Sequence, residues 1–151
     1  MSATQPTPTA EPTETPTYRL TDQVGHMLRR AFQRHSTIFA SNMVEGLTAT
    51  RFAALVMLQE RGGLSQNELG RSTAMDIATV TGVVRWLKKQ GLVSVEPYPN
   101  DARRNLISLS ERGANVLRAA IPLGVEISTE TLAPLTPSEA AEFIALLRRL
   151  G

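Results

Sequence analysis

Apolar residues recur at three- and four-residue spacings over much of the chain, which is typical of helices that bury one face. This pattern predicts a long first helix from Tyr18 to about Val44. Its broad apolar sector contains Leu20, Val24, Met27, Leu28, Ala31, Phe32, Ile38 and Phe39. A second helix is predicted over residues 48–61, and Gly62-Gly63 ends it.

The stretch from Ser65 to Gly113 carries clear helix start and stop signals. Ser65 with Glu68 three residues later has capping-box spacing and predicts a short helix over residues 66–72. A second helix is predicted to begin at Ile77. Its buried stripe is Val80, Val83, Val84 and Leu87, and Gly91 supplies a left-handed end.

Two extended runs follow, residues 92–96 and 106–109, separated by turn-forming residues. They predict a hairpin tipped by Arg103 and Arg104. Two short helices followed by a basic hairpin form a winged helix-turn-helix. The second helix is sized for a DNA major groove, and the hairpin, or wing, can reach phosphates or the minor groove.

After the wing, Ser110 is predicted to cap a helix that runs through about Leu132. Pro122 and Gly124 are expected to kink or divide it. A capping box at residues 136–139 begins a last helix that ends at Leu150. The first and last helices are both rich in apolar residues, which suggests a helical interface shared between two chains.

Composition narrows the class of protein. The chain has 151 residues, enough for one domain, and it lacks cysteine, which excludes disulfides and thiolate chemistry and fits a cytoplasmic location. Residues 1–17 are rich in Thr, Pro, Ala and Glu and are predicted to be a disordered tail. No signal peptide or membrane span is predicted.

Net charge is only +2, but residues 61–118 hold nine Arg or Lys and five acids. The excess of four positive charges within the motif is what a phosphate-facing surface needs. Ordinary solvated surface is an equally good reading of charge alone.

The candidate base- and phosphate-contacting residues lie away from the valine stripe of the second helix: Ala78, Thr79, Thr81, Gly82 and Arg85. The alternative is a polar face that contacts only solvent. Arg103 and Arg104 are the wing candidates, unless one of them pairs with Asp101 to hold the hairpin. Trp86 lies off the stripe and is suited to a neighbouring helix, a phosphate or a ligand.

The two histidines, His26 and His35, lie about 180° apart on the first helix and therefore cannot bind one metal ion within a chain. No metal site and no cofactor are predicted. Catalytic motifs such as the Gly-Lys-Ser/Thr phosphate loop or His-Glu-x-x-His are absent, so the chain is not predicted to be an enzyme. His35 points into the apolar sector, either as a hydrogen-bonded core histidine or as the lining of a cavity.

The central stretch resembles the MarR family of bacterial transcription regulators over roughly residues 20–150. The residues that carry the resemblance are Ala78-Thr79-Val80-Thr81, Leu87-x-x-x-Gly91-Leu92-Val93, Asp101-x-Arg103 and Leu109-Ser110-x-x-Gly113. The resemblance implies a mainly α fold with a small β-hairpin wing, in which Arg103 contacts DNA. Gly82 departs from the family, where a longer polar residue is common.

The resemblance also implies an organisation for residues 18–151. The winged helix-turn-helix would occupy residues 48–110, and the dimerisation helices would be 18–45 and 111–151. An effector cavity is expected between the first helix and the DNA-binding domain, near His35, where an aromatic ring would stack on Phe32 or Phe39.

The segment YRLTDQVGHMLRRAFQRH resembles MarR-like regulators of aromatic-acid catabolism, including nicotinate breakdown. The prediction is a cytoplasmic homodimer that represses transcription from a pseudo-palindromic double-stranded DNA operator and is released by a small aromatic carboxylate. The alternative is a winged-helix protein-interaction module that does not bind DNA.

Overall fold

A computed structural model describes residues 17–151, and the predicted disordered tail lies outside the described residues except for Thr17. Six α-helices and three strands follow a short 3-10 turn at Leu20–Asp22. The helices are α1 (Val24–Asn42), α2 (Ala49–Arg61), α3 (Gln66–Ser72), α4 (Ile77–Lys89), α5 (Glu111–Leu132) and α6 (Pro137–Leu150). The strands are β1 (Leu64–Ser65), β2 (Val93–Tyr98) and β3 (Asp101–Leu109). The predicted mainly α fold with a hairpin wing is confirmed.

Five of the six helices begin at a side chain that accepts a hydrogen bond from a backbone N–H three residues later. The capping residues are Thr48, Ser65, Asp76, Ser110 and Thr136. Ser65 and Thr136 form complete capping boxes with Glu68 and Glu139, as predicted. These local signals explain why most of the helix boundaries follow from the sequence.

The start of α1 is the main exception. The sequence predicted a helix from Tyr18, but Gln23 is extended (φ −89°, ψ 131°) and separates the 3-10 turn from α1. The apolar pattern runs through both elements, and no side chain caps α1 at Gln23, so periodicity could not locate its start. Ile38 and Phe39 are the buried residues of α1, and most of its predicted apolar sector is exposed.

Helix α5 is a single continuous element that contains Pro122, so the predicted division of this helix is wrong. Pro122 removes one N–H from the helix, but α5 packs against both α1 and α2. Gly124 has a packing role, because a Cβ there would lie 2.8 Å from Cζ of Phe52. The residue predicted to interrupt the helix is therefore one at which α2 lies too close to α5 for a side chain.

The three strands form one antiparallel sheet in the order β1-β3-β2. Ile107 of β3 pairs with Val95 on one side and with Leu64 on the other. Strand β1 was not predicted, because two residues are too short to show a pattern. It attaches the start of α3 to the wing.

The main core lies beneath the helix-turn-helix. The predicted valine stripe of α4 is buried together with apolar side chains from α2, α3, the sheet and α5: Leu55, Leu58, Leu69, Leu92, Ile107 and Leu117. A smaller cluster of Ile38, Phe39 and Ile127 joins α1 to α5. Because α4 is held by its stripe, its opposite side is left for a partner.

Candidate nucleic-acid interface and a second cleft

The outward side of α4 presents a continuous row of accessible residues, here called the reading face. It contains Ile77, Ala78, Thr79, Gly82 and Arg85, all exposed, and Lys88 and Lys89 follow in the last turn. Four of the five residues predicted for base and phosphate contact on this helix are therefore accessible. A Cβ at Gly82 would meet nothing within 4 Å, so packing within the chain does not require glycine there.

Thr81, the fifth predicted residue, is half-buried and already hydrogen-bonded. Its hydroxyl donates to the Ile77 carbonyl oxygen at 2.6 Å and accepts from Nε2 of Gln66 at 2.8 Å. The hydroxyl proton is therefore unavailable for a base. Gln66 was missed by the sequence reasoning, because only the fold brings the first residue of α3 against α4.

The first turn of α4 is fixed by Asp76. Its carboxylate accepts from the Thr79 backbone N–H at 2.7 Å. Hydrogen bonds from the backbone and then the side chain of Thr79 lower the pKa of Asp76 below its ordinary value of 3.8. A carboxylate that stays ionised at this end also complements the helix dipole.

The wing turns at Pro99-Asn100, and both candidate arginines lie on β3 just beyond the turn. Asp101 accepts a hydrogen bond from the Arg103 backbone N–H at 3.1 Å, so its contact to the hairpin uses the main chain. The Arg104 guanidinium lies 3.8 Å from Glu68 and over the Tyr98 ring, with 4.9 Å to the ring centroid. Among the described residues, neither arginine forms an ion pair with Asp101. Arg104 pairs instead with Glu68 of α3.

Glu68 therefore contacts both the capping residue Ser65 and the wing residue Arg104. Hydrogen bonds from the Ser65 hydroxyl and backbone N–H lower the pKa of its carboxyl, and the charges of Arg104 and Arg71 add smaller contributions in the same direction. The same carboxylate caps α3 and attracts the wing. Within residues 17–151, Arg104–Glu68 is the one ion pair found, so Arg103 is the wing arginine with an uncommitted charge.

A polar cleft of about 400 Å³ lies between the start of α3 and the wing. It is lined by Ser65, Gln66, Asn67, Arg71, Arg103, Arg104 and Asn105. Three arginines with amide groups make a surface suited to a phosphate backbone. Arg71 and Asn67 join the interface through tertiary structure, and neither had been singled out from the sequence.

Trp86 does not belong to the reading face. The Arg51 guanidinium stacks 3.9 Å from the centre of its ring and also donates to the Gly46 carbonyl oxygen. Of the three roles considered for Trp86, packing on a neighbouring helix is the one observed. This contact fixes α4 against α2.

His35 lies in a second cleft, formed by α1, α5 and α6, with a volume of about 380 Å³. This α1–α5–α6 cleft is almost entirely apolar and is lined by Leu28, Ala31, Phe32, His35, Ser128, Thr131, Leu132, Phe143, Ile144 and Leu147. The cavity had been expected between the first helix and the DNA-binding domain. The cleft instead lies among the helices predicted to dimerise.

The hydrogen bonds of His35 fix how its ring is presented. Nδ1 lies 3.0 Å from the Thr131 hydroxyl oxygen, and that hydroxyl donates to the Ile127 carbonyl oxygen. With the hydroxyl proton on Ile127, the Thr131 oxygen accepts from the Nδ1–H of His35, and in this tautomer Nε2 of a neutral ring is an acceptor. His35 thus combines the two roles considered for it, a hydrogen-bonded side chain and a cleft residue.

Phe32 and Phe39 lie in different environments in the structure. Phe32 lines the α1–α5–α6 cleft and is 66% exposed, whereas Phe39 is buried with its ring 6.0 Å from that of Phe52. Phe39 touches the cleft only through His35, whose ring centre is 5.9 Å away. A ligand in this cleft would contact Phe32 directly but not Phe39.

Two further searches covered the described residues. Residues 17–151 hold no group of three or more His, Asp or Glu side chains placed to bind a metal ion. In the same range, every helix is too short or too polar to cross a membrane.

The fold and the basic, accessible face of α3, α4 and the wing define a winged helix-turn-helix DNA-binding protein. A model of the MarR family matches residues 47–104. The HTH-type transcriptional repressor NicR of Pseudomonas putida is 39% identical over 145 residues, which cover 95% of this chain and 92% of NicR. The chain belongs to the MarR family of transcription regulators, and it is a regulator rather than an enzyme.

Solved structures of similar proteins support the same assignment to the MarR family. A probable transcriptional regulator from Pseudomonas aeruginosa is 47% identical, with a TM-score of 0.85 over 88% of this chain and all of that one. Bordetella bronchiseptica BpsR is 36% identical, with a TM-score of 0.85 over 89% of this chain and 97% of that one. The BpsR structure was solved for the mechanism by which 6-hydroxynicotinic acid regulates its DNA binding.

Proposed function

We propose that the chain is a homodimeric repressor that binds a pseudo-palindromic operator and is released by a small aromatic carboxylate. The observation that carries the DNA-binding part is the accessible reading face beside a basic cleft. Repression is supported by the similarity to NicR, and the effector class by the similarity to BpsR. Residues 48–110 would contact DNA, and α1, α5 and α6 would form the dimer.

The dimer is supported by apolar surface that the single chain leaves uncovered. Helix α6 has no buried residue, although it carries Leu146, Leu147 and Leu150. Exposed apolar side chains also occupy α1 and α5, among them Val24, Met27, Ile121 and Val125. Exposed apolar surface on this scale favours association, and a second copy brings a matching surface through two-fold symmetry.

The test of the dimer is sedimentation at micromolar concentration. Wild type should sediment as a dimer, and Leu146→Glu should give a monomer because it places a charge in the apolar interface. Ile77→Glu is the matched control, since it also places a charge at an exposed apolar position but lies on the reading face. A wild-type monomer, or two variants that behave alike, would contradict the proposed interface.

DNA binding then follows from symmetry. Two copies of α4 related by a two-fold axis should read half-sites roughly 34–36 Å apart. Affinity should fall steeply with salt because phosphate contacts release counterions. A gel shift against the intergenic DNA upstream of its own gene tests this, and salt-independent binding or no binding would favour the protein-interaction alternative.

The α1–α5–α6 cleft is the proposed effector site. Phe32 offers a ring for stacking, and the walls of the cleft are almost entirely apolar. Nε2 of neutral His35 would accept from a ring hydroxyl or ring N–H, and a protonated His35 would donate to the carboxylate. A hydroxylated aromatic acid provides both kinds of group.

The effector test is release of labelled operator DNA during titration with 6-hydroxynicotinic acid. His35→Ala should require more ligand than wild type, whereas His26→Ala, the other histidine of α1, should behave like wild type. If His35→Ala folds, binds DNA and releases it at the wild-type ligand concentration, His35 has only a structural role. If His26→Ala is the impaired variant, the effector binds elsewhere.

A further inference from the structure

The reading face of α4 is unusually poor in hydrogen-bond donors. Among its first six residues, Ile77 and Ala78 end in methyl groups and Gly82 has no side chain. The Thr79 side chain hydrogen-bonds to the Asp76 carboxylate, and Thr81 uses its hydroxyl proton on the Ile77 carbonyl oxygen. Arg85 is the first long side chain on this face that can donate to a base, and it lies two turns along the helix.

Ile77 is the most prominent side chain at this end. It is 76% exposed although it is large and apolar, and it is the first residue of the helix whose N-terminal turn enters the major groove in helix-turn-helix proteins. A single exposed isoleucine elsewhere would need no explanation. Here the Ile77 carbonyl accepts a hydrogen bond from Thr81 and the turn is capped by Asp76, so the backbone that carries the side chain is fixed.

The major-groove edges of the bases carry one apolar group, the C5 methyl of thymine. The other groups on these edges are donors or acceptors, and an isoleucine facing them would remove their water without replacing the hydrogen bond. Methyl-bearing side chains without free donors therefore favour thymine. The absence of a side chain at Gly82, where a Cβ would have met only open space, lets the helix approach the base edges closely.

We propose that Ile77 reads the methyl group of a thymine in each operator half-site, so that apolar contact sets the base preference at that position. The inference rests on the proposed DNA binding and adds the chemical group that is recognised. Arg85, two turns along the reading face, and Gln66 of α3, whose amide contacts Thr81, would supply polar contacts at other positions.

The experiment uses the full chain and a duplex selected by the wild-type protein from a randomised library. Each thymine of the duplex is replaced in turn by deoxyuridine, which removes the methyl group and leaves base pairing unchanged. Loss of one buried methyl should weaken wild-type binding by about fourfold at one position of each half-site. Replacement in both half-sites together should give about fifteenfold, if the two contacts are independent.

Variants of Ile77 test whether its side chain causes the weaker binding to the uracil duplex. Ile77→Ala should bind the thymine and uracil duplexes equally at that position, whereas Ile77→Val, which keeps methyl groups, should retain most of the discrimination. Both substitutions are at an exposed position, so folding should be preserved. Val44→Ala, at an exposed apolar position between α1 and α2, is the matched control and should discriminate like wild type.

Two results would overturn the inference while leaving DNA binding intact. One is wild-type binding that no uracil substitution weakens. The other is a uracil effect that persists unchanged in Ile77→Ala, because another side chain would then read the methyl group. Failure to select any duplex would overturn the proposed DNA binding together with this inference.

Discussion

Gly113→Ala should strongly destabilise the protein, for a reason visible at the junction between α4 and α5. A Cβ at Gly113 would lie 2.0 Å from the Leu92 carbonyl oxygen and 2.9 Å from Cδ1 of Leu109. The first contact is with backbone, so no side-chain rotation relieves it. Helix α5 would have to move by about 1 Å away from Leu92 for the Cβ to reach even 3.0 Å.

Moving α5 would lower the free energy of unfolding, and this loss can be compared with the helix propensity that alanine adds. Overpacking of this kind costs about 1–3 kcal/mol. The shift also strains the hydrogen bonds that Ser110 makes to the carbonyl oxygens of Leu92 and Gly91, each worth about 1 kcal/mol. Alanine gains at most about 1 kcal/mol of helix propensity over glycine. The expected net loss in the free energy of unfolding is about 2–4 kcal/mol.

Gly82→Ala is the matched control, because it makes the same chemical change inside a helix where a Cβ meets nothing within 4 Å. It should stabilise the protein by up to about 1 kcal/mol. Urea denaturation at one fixed protein concentration measures both, followed by circular dichroism and by the fluorescence of Trp86, the one tryptophan in the chain. The reasoning fails if Gly113→Ala is as stable as Gly82→Ala.

Three other predictions concern the interface and its helix caps. Arg103→Ala should weaken binding to every duplex and lower the slope of log affinity against log salt by about one phosphate contact, and an unchanged slope would mean that Arg103 does not reach DNA. Thr81→Ala should free the Gln66 amide and change the base preference at one position, which selection from a randomised library would detect; an unaltered preference would exclude Gln66 from base contact. The pKa values of Glu68, Asp76 and Glu139 are lowered by hydrogen bonds in the folded chain, so the stability they contribute is present above the ordinary values of 4.5 and 3.8 and is lost as pH falls through the lower folded values. Urea denaturation between pH 7 and pH 3 should show this loss, and Asp76→Asn should reduce it; parallel curves for the two proteins would contradict the capping role.

The helix starts and the valine stripe could be predicted because their causes are local. A cap and its partner are three residues apart, and a stripe repeats every turn. The side of α4 that faces outward follows directly from the side that is buried. This is why four of the five reading-face predictions on α4 proved accessible.

The corrections involve contacts between residues far apart in the chain. His35 meets Thr131, 96 residues later, and Gln66 meets Thr81 of the next helix. Periodicity placed His35 on an apolar face but carried no information about which helix lies opposite. The sequence therefore could not show that α5 and α6 form the cleft around His35, and Gln66 was not recognised.

Pro122 and Gly124 show a different limit of sequence reasoning. Proline weakens a helix locally, and glycine does so through conformational entropy. The packing of α5 on its neighbours outweighs both effects, and Gly124 makes room for the Phe52 ring. Gly124, which was predicted to interrupt the helix, is thus a residue that its packing requires.

The continuous α5 has a mechanical consequence. Its 22 residues span about 33 Å, and its two ends lie at functionally different places. One end abuts Leu92 at the end of α4 with no room for a methyl group, and the other carries Thr131, the partner of His35. Because α5 is continuous, a tilt of about 5° about its Thr131 end would displace its other end by about 3 Å. That distance is close to the rise of about 3.4 Å per base pair of DNA, so a small rotation of α5 would be enough to disturb the spacing of the two reading faces in the proposed dimer.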